Sequence, residues 1–140
     1  MPIPKLMKTV LVVDDDSDIR TLITWKLSLA GYATVAAADG EAAVVAARGD
    51  SPEAPGVRPD IVLLDWTMPR MSGIEVCEAL RADSSTADIP IILLTAKAQE
   101  FELERGLAAG ADDYIVKPFS PNDLLGRLGA LLDRADARRV

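Results

Sequence analysis

A chain of 140 residues with 49% hydrophobic and 26% charged residues has the size and composition of one folded domain, which excludes a disordered chain and leaves no room for two full domains. The formal net charge of −7 argues against nucleic-acid binding, and the lack of histidine excludes Ser-His-Asp hydrolysis, His-bound zinc and a phosphohistidine carried by the chain itself. The single cysteine, Cys77, excludes an internal disulfide, and no apolar run approaches the roughly 20 residues of a membrane span, so we expect a cytoplasmic protein.

The first half of the chain alternates strand-like and helix-like patterns. Residues 9–13 are a continuous β-branched run, which is typical of a strand covered on both faces. Residues 19–30 then repeat apolar side chains at helical spacing. The predicted elements that follow are a weaker strand at 33–37, an Ala-rich helix at 41–48, a loop rich in proline and glycine at 49–59, and a buried strand at 61–64.

The second half continues the alternation. Its predicted elements are a helix from about 73 to 82, a strand at 89–94, a helix at about 99–109 with a poor apolar stripe, a strand at 114–116, and a final helix that begins near Ser120. Five strands alternating with five helices predict a parallel sheet with right-handed crossovers and helices on both faces. In such sheets the ligand site lies beyond the carboxyl ends of the strands.

Chemically active side chains follow four of the five predicted strands. Asp14 and Asp15 come after the first strand, Asp65 after the third, Thr95 after the fourth and Lys117 after the fifth. Carboxylates gathered at one sheet edge repel one another, and a hard cation such as Mg²⁺ would relieve that repulsion. A carboxylate can also attack phosphorus and form an aspartyl phosphate, with the lysine and the hydroxyl contacting the phosphoryl oxygens. The pattern therefore predicts a metal-assisted phosphoryl site.

Four segments, 12–16, 63–69, 94–96 and 111–119, resemble the receiver domains of bacterial two-component response regulators. The resemblance extends in the right order over about residues 7–135. It implies a flavodoxin-like (βα)5 three-layer sandwich with a parallel five-strand sheet of order 2-1-3-4-5. The receiver domain is expected at 8–134, between an N-terminal tail at 1–7 and a C-terminal tail or linker stub at 135–140.

The resemblance also implies the chemistry of the site. Asp65 is expected to accept the phosphoryl group. The expected Mg²⁺ ligands are Asp15, Asp65, the Thr67 backbone carbonyl, and Asp14 acting mainly through a metal-bound water. Such a domain catalyses its own phosphorylation and the hydrolysis of its own aspartyl phosphate, and it is not a multiple-turnover metabolic enzyme.

The same resemblance assigns the residues that sense and tune the phosphoryl group. Thr95 and Lys117 are expected to contact it, and the peptide bond between Lys117 and Pro118 is expected to be cis. Tyr114 is the expected switch residue, whose ring turns inward when Thr95 is drawn toward the phosphoryl group. Trp66, beside the acceptor, is expected to shield or shape the site. Two further positions, Thr67 and Lys97, are expected to tune the lifetime of the phosphoryl group.

The expected partners are a sensor histidine kinase or histidine phosphotransfer protein and a downstream effector or fused output domain. The readout surface would be the fourth helix, fifth strand and fifth helix, which could also pair two copies if Asp112 or Asp113 meets Arg127 of a second chain. No direct nucleic-acid or membrane contact is expected.

Two alternatives remain open from the sequence. In the first, the chain is a haloacid-dehalogenase-type phosphatase that uses Asp14 and Asp16, with Asp112 and Asp113 as its acidic pair, although that family's pair follows its lysine and Asp65 would have no role. In the second, it is a receiver-like interaction module that never carries phosphate.

Overall fold

The computed structural model describes residues 8–96 and 100–138, which form a five-stranded parallel sheet with helices on both faces. The strands are β1 (Thr9–Val13), β2 (Ala33–Ala37), β3 (Ile61–Asp65), β4 (Ile91–Thr95) and β5 (Asp113–Val116). The helices are α1 (Ser17–Leu29), α2 (Gly40–Ala47), α3 (Gly73–Ala82), α4 (Glu100–Ala108) and α5 (Pro121–Arg138). The sheet order is β2-β1-β3-β4-β5, so the predicted flavodoxin-like architecture is confirmed.

Two apolar layers cover the sheet, because successive side chains of a strand point to opposite faces. One layer joins the strands to α1 and α5, and the other joins them to α2 and α3. Helix α4 lies on the second face, where Gly106 packs against Leu93. The second layer also holds Cys77, where burial raises the pKa of the thiol to about 12 and keeps it protonated at neutral pH. None of the described helices is long and apolar enough to cross a membrane.

The final helix extends past residue 134, where the sequence analysis placed the end of the domain. It continues to Arg138, and Lys8 Nζ lies 2.8 Å from Asp136 Oδ1, which joins the start of β1 to the last turns of α5. Residues 134–138, Arg-Ala-Asp-Ala-Arg, include no glycine or proline that would end the helix.

The loop between α2 and β3 is held against the turn that precedes β4. Arg48 Nε donates a 2.8 Å hydrogen bond to Asp83 Oδ2, and Arg58 donates one to the Ser85 carbonyl. Gly49 and Gly56 take the left-handed conformation, with φ of 86° and 79°. All of these contacts lie near the amino ends of β3 and β4, away from the strand ends that carry the acidic residues.

Candidate functional site

Three carboxylates meet at the carboxyl edge of the sheet. Strands β1 and β3 are parallel neighbours, so Asp14, which follows β1, and Asp65, which ends β3, emerge side by side. One carboxylate oxygen from each of Asp14, Asp15 and Asp65 lies within 4.8 Å of the other two. Asp14 is 1% exposed and Asp65 is 6% exposed, whereas Asp15 faces solvent. The cluster thus combines two buried acids with one that remains open to water.

The backbone beside Asp14 is held by contacts that the sequence pattern did not reveal. Arg20 Nη1, in the first turns of α1, donates a 2.7 Å hydrogen bond to the Asp14 carbonyl. The Asp16 amide donates a 2.9 Å bond to Asp14 Oδ1, and the Asp16 carboxylate caps α1. The Asp14 amide bonds to the carbonyl of Ala37 at 3.2 Å. The backbone of Asp14 is therefore fixed by contacts to α1 and β2, and its carboxylate by a contact within its own loop.

Lys117 connects the acidic cluster to β5. Its Nζ lies 3.2 Å from Asp65 Oδ1 and 3.5 Å from Asp14 Oδ2, while its amide donates a 2.8 Å bond to the Thr95 carbonyl. Burial by itself lowers the pKa of this ammonium, but the charges of Asp65 and Asp14 outweigh it and the pKa is raised. Lys117 is therefore a fixed positive charge at neutral pH. The peptide bond between Lys117 and Pro118 is cis.

Within the cluster of three carboxyl groups, the pKa of Asp65 is clearly shifted. Its pKa is raised from 3.8 to about 6, chiefly by burial and then by the charge of Asp14 and, to a smaller extent, that of Asp15, while Lys117 offsets these effects only in part. Three acids and one ammonium leave an excess of negative charge around one small space. A bound cation or protons would stabilise this arrangement.

The donor set is suited to a hard cation. All three clustered groups are carboxylates, with neither imidazole nor thiolate among them, and such oxygen ligands favour Mg²⁺ or Ca²⁺ over transition metals. Thr67 lies exposed in the loop two residues after Asp65. Its carbonyl as a ligand stays a prediction.

Thr95, Leu93 and Tyr114 share the sheet face on which α4 lies. Thr95 ends β4 and is 1% exposed, and Tyr114 of β5 pairs with Leu93. Side chains two residues apart on a strand point the same way, so the threonine lies on the Leu93 face. Tyr114 is half-buried against the apolar layer of that face. Its role as a switch stays a prediction.

Of the other two predicted tuning positions, Trp66 is buried and Lys97 lies outside the described residues. Trp66 directly follows Asp65, is 5% exposed, and belongs to the apolar layer beneath α2, α3 and α4.

The acidic pair of the phosphatase alternative lies far from the carboxylate cluster. Asp112 Oδ2 accepts hydrogen bonds from the Ile91 amide at 2.8 Å and from Arg81 Nη2 at 2.9 Å, at the amino end of β4. Asp113 pairs with Arg127 of its own chain at 3.1 Å. Both residues form hydrogen bonds or ion pairs at the opposite edge of the sheet, so they cannot act beside Asp14 as the acidic pair of a phosphatase.

Residues 10–129 match the family model of the response regulator receiver domain. The phosphate regulon transcriptional regulatory protein PhoB of Pseudomonas aeruginosa is 46% identical over 129 residues, which cover 91% of this chain and 52% of PhoB. The DNA-binding response regulator MtrA of Mycobacterium tuberculosis is 44% identical over 131 residues, 94% of this chain and 53% of MtrA. This chain thus spans about half the length of these curated relatives.

The fold of this chain is also similar to a solved structure that contains a metal ion. It is the receiver domain of the sensor histidine kinase PA1611 from Pseudomonas aeruginosa, described with a magnesium ion coordinated in its active site cleft. The TM-score is 0.78 at 32% identity, and the match covers 90% of this chain and 98% of that one. Together with the sheet order and the acidic cluster, these matches show that the chain belongs to the response regulator receiver domain family of two-component signalling.

Proposed function

We propose that this domain accepts a phosphoryl group on Asp65 with Mg²⁺ bound by Asp15 and Asp65 and, mainly through a metal-bound water, by Asp14. The observation that carries the proposal is the meeting of three carboxylates and the Lys117 ammonium at one strand edge. A carboxylate oxygen of Asp65 would attack phosphorus as the bond to the donor's leaving group breaks, so one phosphoryl group passes to the protein. Bound Mg²⁺ would supply charge neutralisation for the phosphoryl oxygens.

The surrounding residues position the phosphoryl group. Lys117, already 3.2 Å from Asp65 Oδ1, would exchange part of that ion pair for a phosphoryl oxygen. The Thr95 hydroxyl would donate to another oxygen, and the Thr67 carbonyl would complete the protein ligands of the metal. Turning of Tyr114 toward the space left by Thr95 would pass the change to α4, β5 and α5.

The Asp65→Ala variant tests this assignment. We expect the parent domain to gain the mass of one phosphoryl group when incubated with acetyl phosphate and Mg²⁺, and we expect Asp65→Ala to gain none. Intact-protein mass spectrometry measures both, and EDTA in place of Mg²⁺ is the control. No mass gain in the parent would support the non-phosphorylated module instead, and turnover of p-nitrophenyl phosphate would support the phosphatase.

The phosphodonor is proposed to be a histidine kinase or phosphotransfer protein that contacts a groove beside Lys117. This groove, of about 490 Å³, lies between α1 and the start of α5, and Leu22, Pro118 and Phe119 are among its lining residues. Leu22 is 55% exposed and Trp25, on the same helix, is also 55% exposed. A contiguous apolar groove beside a reactive site is the kind of surface that a partner protein binds.

The Leu22→Glu variant separates donor docking from chemistry. We expect it to keep its acetyl phosphate labelling and to lose phosphoryl transfer from those autophosphorylated histidine kinases of the source organism that label the parent. Val45→Glu is the matched control, since Val45 is 39% exposed on α2 at the opposite face. Equal transfer to all three proteins would contradict docking at the groove.

We propose that the domain acts on its downstream partner through the surface of α4, β5 and α5. We further propose that the receiver domain spans about residues 8–134 and that it works in the cytoplasm. Arg127 holds Asp113 of its own chain, so a homodimer through this surface would need that pair to exchange partners. PhoB and MtrA are named for transcriptional regulation and DNA binding and are about twice as long as their match to this chain. For the acidic receiver surface itself we propose no nucleic-acid contact.

A further inference from the structure

Helix α4 packs on the sheet through a glycine. Among the α4 side chains that the structure describes, residues 102–108, only Gly106 is buried, while the others are half-buried or exposed. A helix normally packs through a stripe of apolar side chains, and burial of that stripe supplies most of its stability. Of residues 102–108, the one that is buried has no side chain. The groups beneath Gly106 therefore limit how closely this part of the helix approaches the sheet.

The groups beneath Gly106 are Leu93 and Trp66. A Cβ atom at position 106 would lie 2.8 Å from Leu93 Cδ1, closer than real Cβ atoms approach a neighbour, and 3.1 Å from Trp66 Cζ3, which is tighter than most Cβ contacts. By contrast, a Cβ at Gly126 on α5 would meet nothing within 4 Å. Leu93 and the indole ring together thus fill the space that a side chain at position 106 would need.

The backbone of Trp66 is attached firmly to the acceptor strand. Residue 66 directly follows Asp65, its amide donates a 3.0 Å hydrogen bond to the Leu94 carbonyl of β4, and its own carbonyl accepts a 2.8 Å bond from the Gly73 amide. The indole is 5% exposed. A shift of the backbone at Asp65 therefore moves the ring on which α4 rests, since close-packed groups transmit displacement.

We propose that Trp66 is a positioning residue that sets the height of α4 above the sheet, and that its contact with Gly106 couples the phosphoryl state of Asp65 to this helix. This coupling rests on the proposed function and adds a second connection beside Thr95 and Tyr114. Thermodynamic linkage makes such coupling reciprocal. A substitution that pushes α4 off the indole must then alter the affinity of the site for a phosphoryl mimic.

The matched variants Gly106→Ala and Gly126→Ala test the contact. Both add one methyl group to a helical glycine and gain the same helix propensity, but only the first meets Leu93 and Trp66. Each is titrated with beryllofluoride and Mg²⁺ in a Trp25→Phe background, in which Trp66 is the single tryptophan and reports by its fluorescence. Because Gly106→Ala disfavours the resting position of α4, we expect it to bind beryllofluoride at least threefold more tightly than Gly126→Ala, which should match the parent.

A double substitution checks the partner. Shortening the indole in Gly106→Ala/Trp66→Leu removes the contact with the ring and leaves the contact with Leu93, so its affinity, measured by calorimetry, should lie closer to that of Trp66→Leu alone than Gly106→Ala lies to the parent. If Gly106→Ala does not fold, Trp66→Phe serves in its place: beryllofluoride should alter hydrogen exchange of the α4 amides in the parent, and it should alter them less in Trp66→Phe, where the connection through Thr95 and Tyr114 remains. Equal affinities in Gly106→Ala and Gly126→Ala, or equal exchange responses in the parent and Trp66→Phe, would overturn the coupling. A parent that binds no beryllofluoride would overturn the proposed function as well, so the two failures are distinct.

Discussion

We expect the Asp65→Asn variant to raise the free energy of unfolding of the metal-free protein by about 2 to 3 kcal/mol at pH 7. The Asp65 carboxylate is 6% exposed and lies beside the carboxylates of Asp14 and Asp15, with only Lys117 to offset them. Raising its pKa from 3.8 to about 6 means that the folded state holds the ionised form less favourably than the unfolded state does. Asparagine keeps the shape of the side chain and removes the charge.

The sign of the pH dependence follows from the same shift. Because the folded pKa of Asp65 lies above the unfolded pKa, the wild-type domain gains stability from this group as pH falls from about 6 toward 3.8, where both states become protonated. The advantage of Asp65→Asn should therefore shrink over that range. Thermal denaturation in EDTA at pH 7, 5 and 4 measures it, and at pH 7 we expect a rise in Tm of roughly 5 to 10 °C.

Magnesium should reverse the comparison. A cation that binds only the folded wild-type domain stabilises it in proportion to the logarithm of its concentration, whereas Asp65→Asn lacks one ligand. Asp88→Asn is the control, since Asp88 is exposed in the turn before β4, at the opposite edge of the sheet. An Asp65→Asn variant that is less stable than wild type in EDTA would show that Lys117 outweighs the repulsion, contrary to our account of the cluster.

The strand ends could be predicted from sequence because parallel topology makes them converge. Continuous apolar runs such as 9–13 and 61–64 mark strands that are covered on both faces, and the residue after each run must lie at the same edge. That reasoning predicts Asp14, Asp65 and Lys117 at one edge, and in the structure the Lys117 ammonium lies 3.5 Å from Asp14 Oδ2 and 3.2 Å from Asp65 Oδ1. The residues at this edge follow directly after the strands, and the alternation of strands and helices indicates a parallel sheet, so both facts can be inferred from sequence.

Contacts between distant segments could not be predicted in the same way. The weak apolar stripe of the fourth helix was visible in sequence, but its cause, the packing of Gly106 over an indole 40 positions earlier, depends on tertiary distance. Arg81 is a second example, since its guanidinium donates to the carbonyls of Ala87, Ile89 and Gly110 as well as to Asp112. No local pattern distinguishes this arginine from a solvated one.

The largest structural effect is expected from Gly73→Ala, which should destabilise the domain by about 3 kcal/mol. A Cβ at position 73 would lie 2.6 Å from the Asp65 carbonyl oxygen and 2.9 Å from Trp66 Cα. Both are backbone atoms of the acceptor segment, so no side chain can rotate to make room. The gain in helix propensity, about 1 kcal/mol at most, does not offset this clash. Urea denaturation in EDTA measures the loss.

Two other glycines separate this clash from the general cost of replacing a glycine. Gly126→Ala in α5 meets no neighbour and should be as stable as the parent or more so, while Gly56→Ala has open space but a φ of 79°, which costs roughly 1 to 2 kcal/mol. The expected order of stability is therefore Gly126→Ala, then Gly56→Ala, then Gly73→Ala. Because the Gly73 clash displaces the backbone that carries Asp65, this variant should also label more slowly with acetyl phosphate than Gly56→Ala does. A Gly73→Ala domain as stable and as reactive as Gly56→Ala would mean that the junction of β3 and α3 yields without moving the acceptor, and the close backbone contact would then have no part in positioning Asp65.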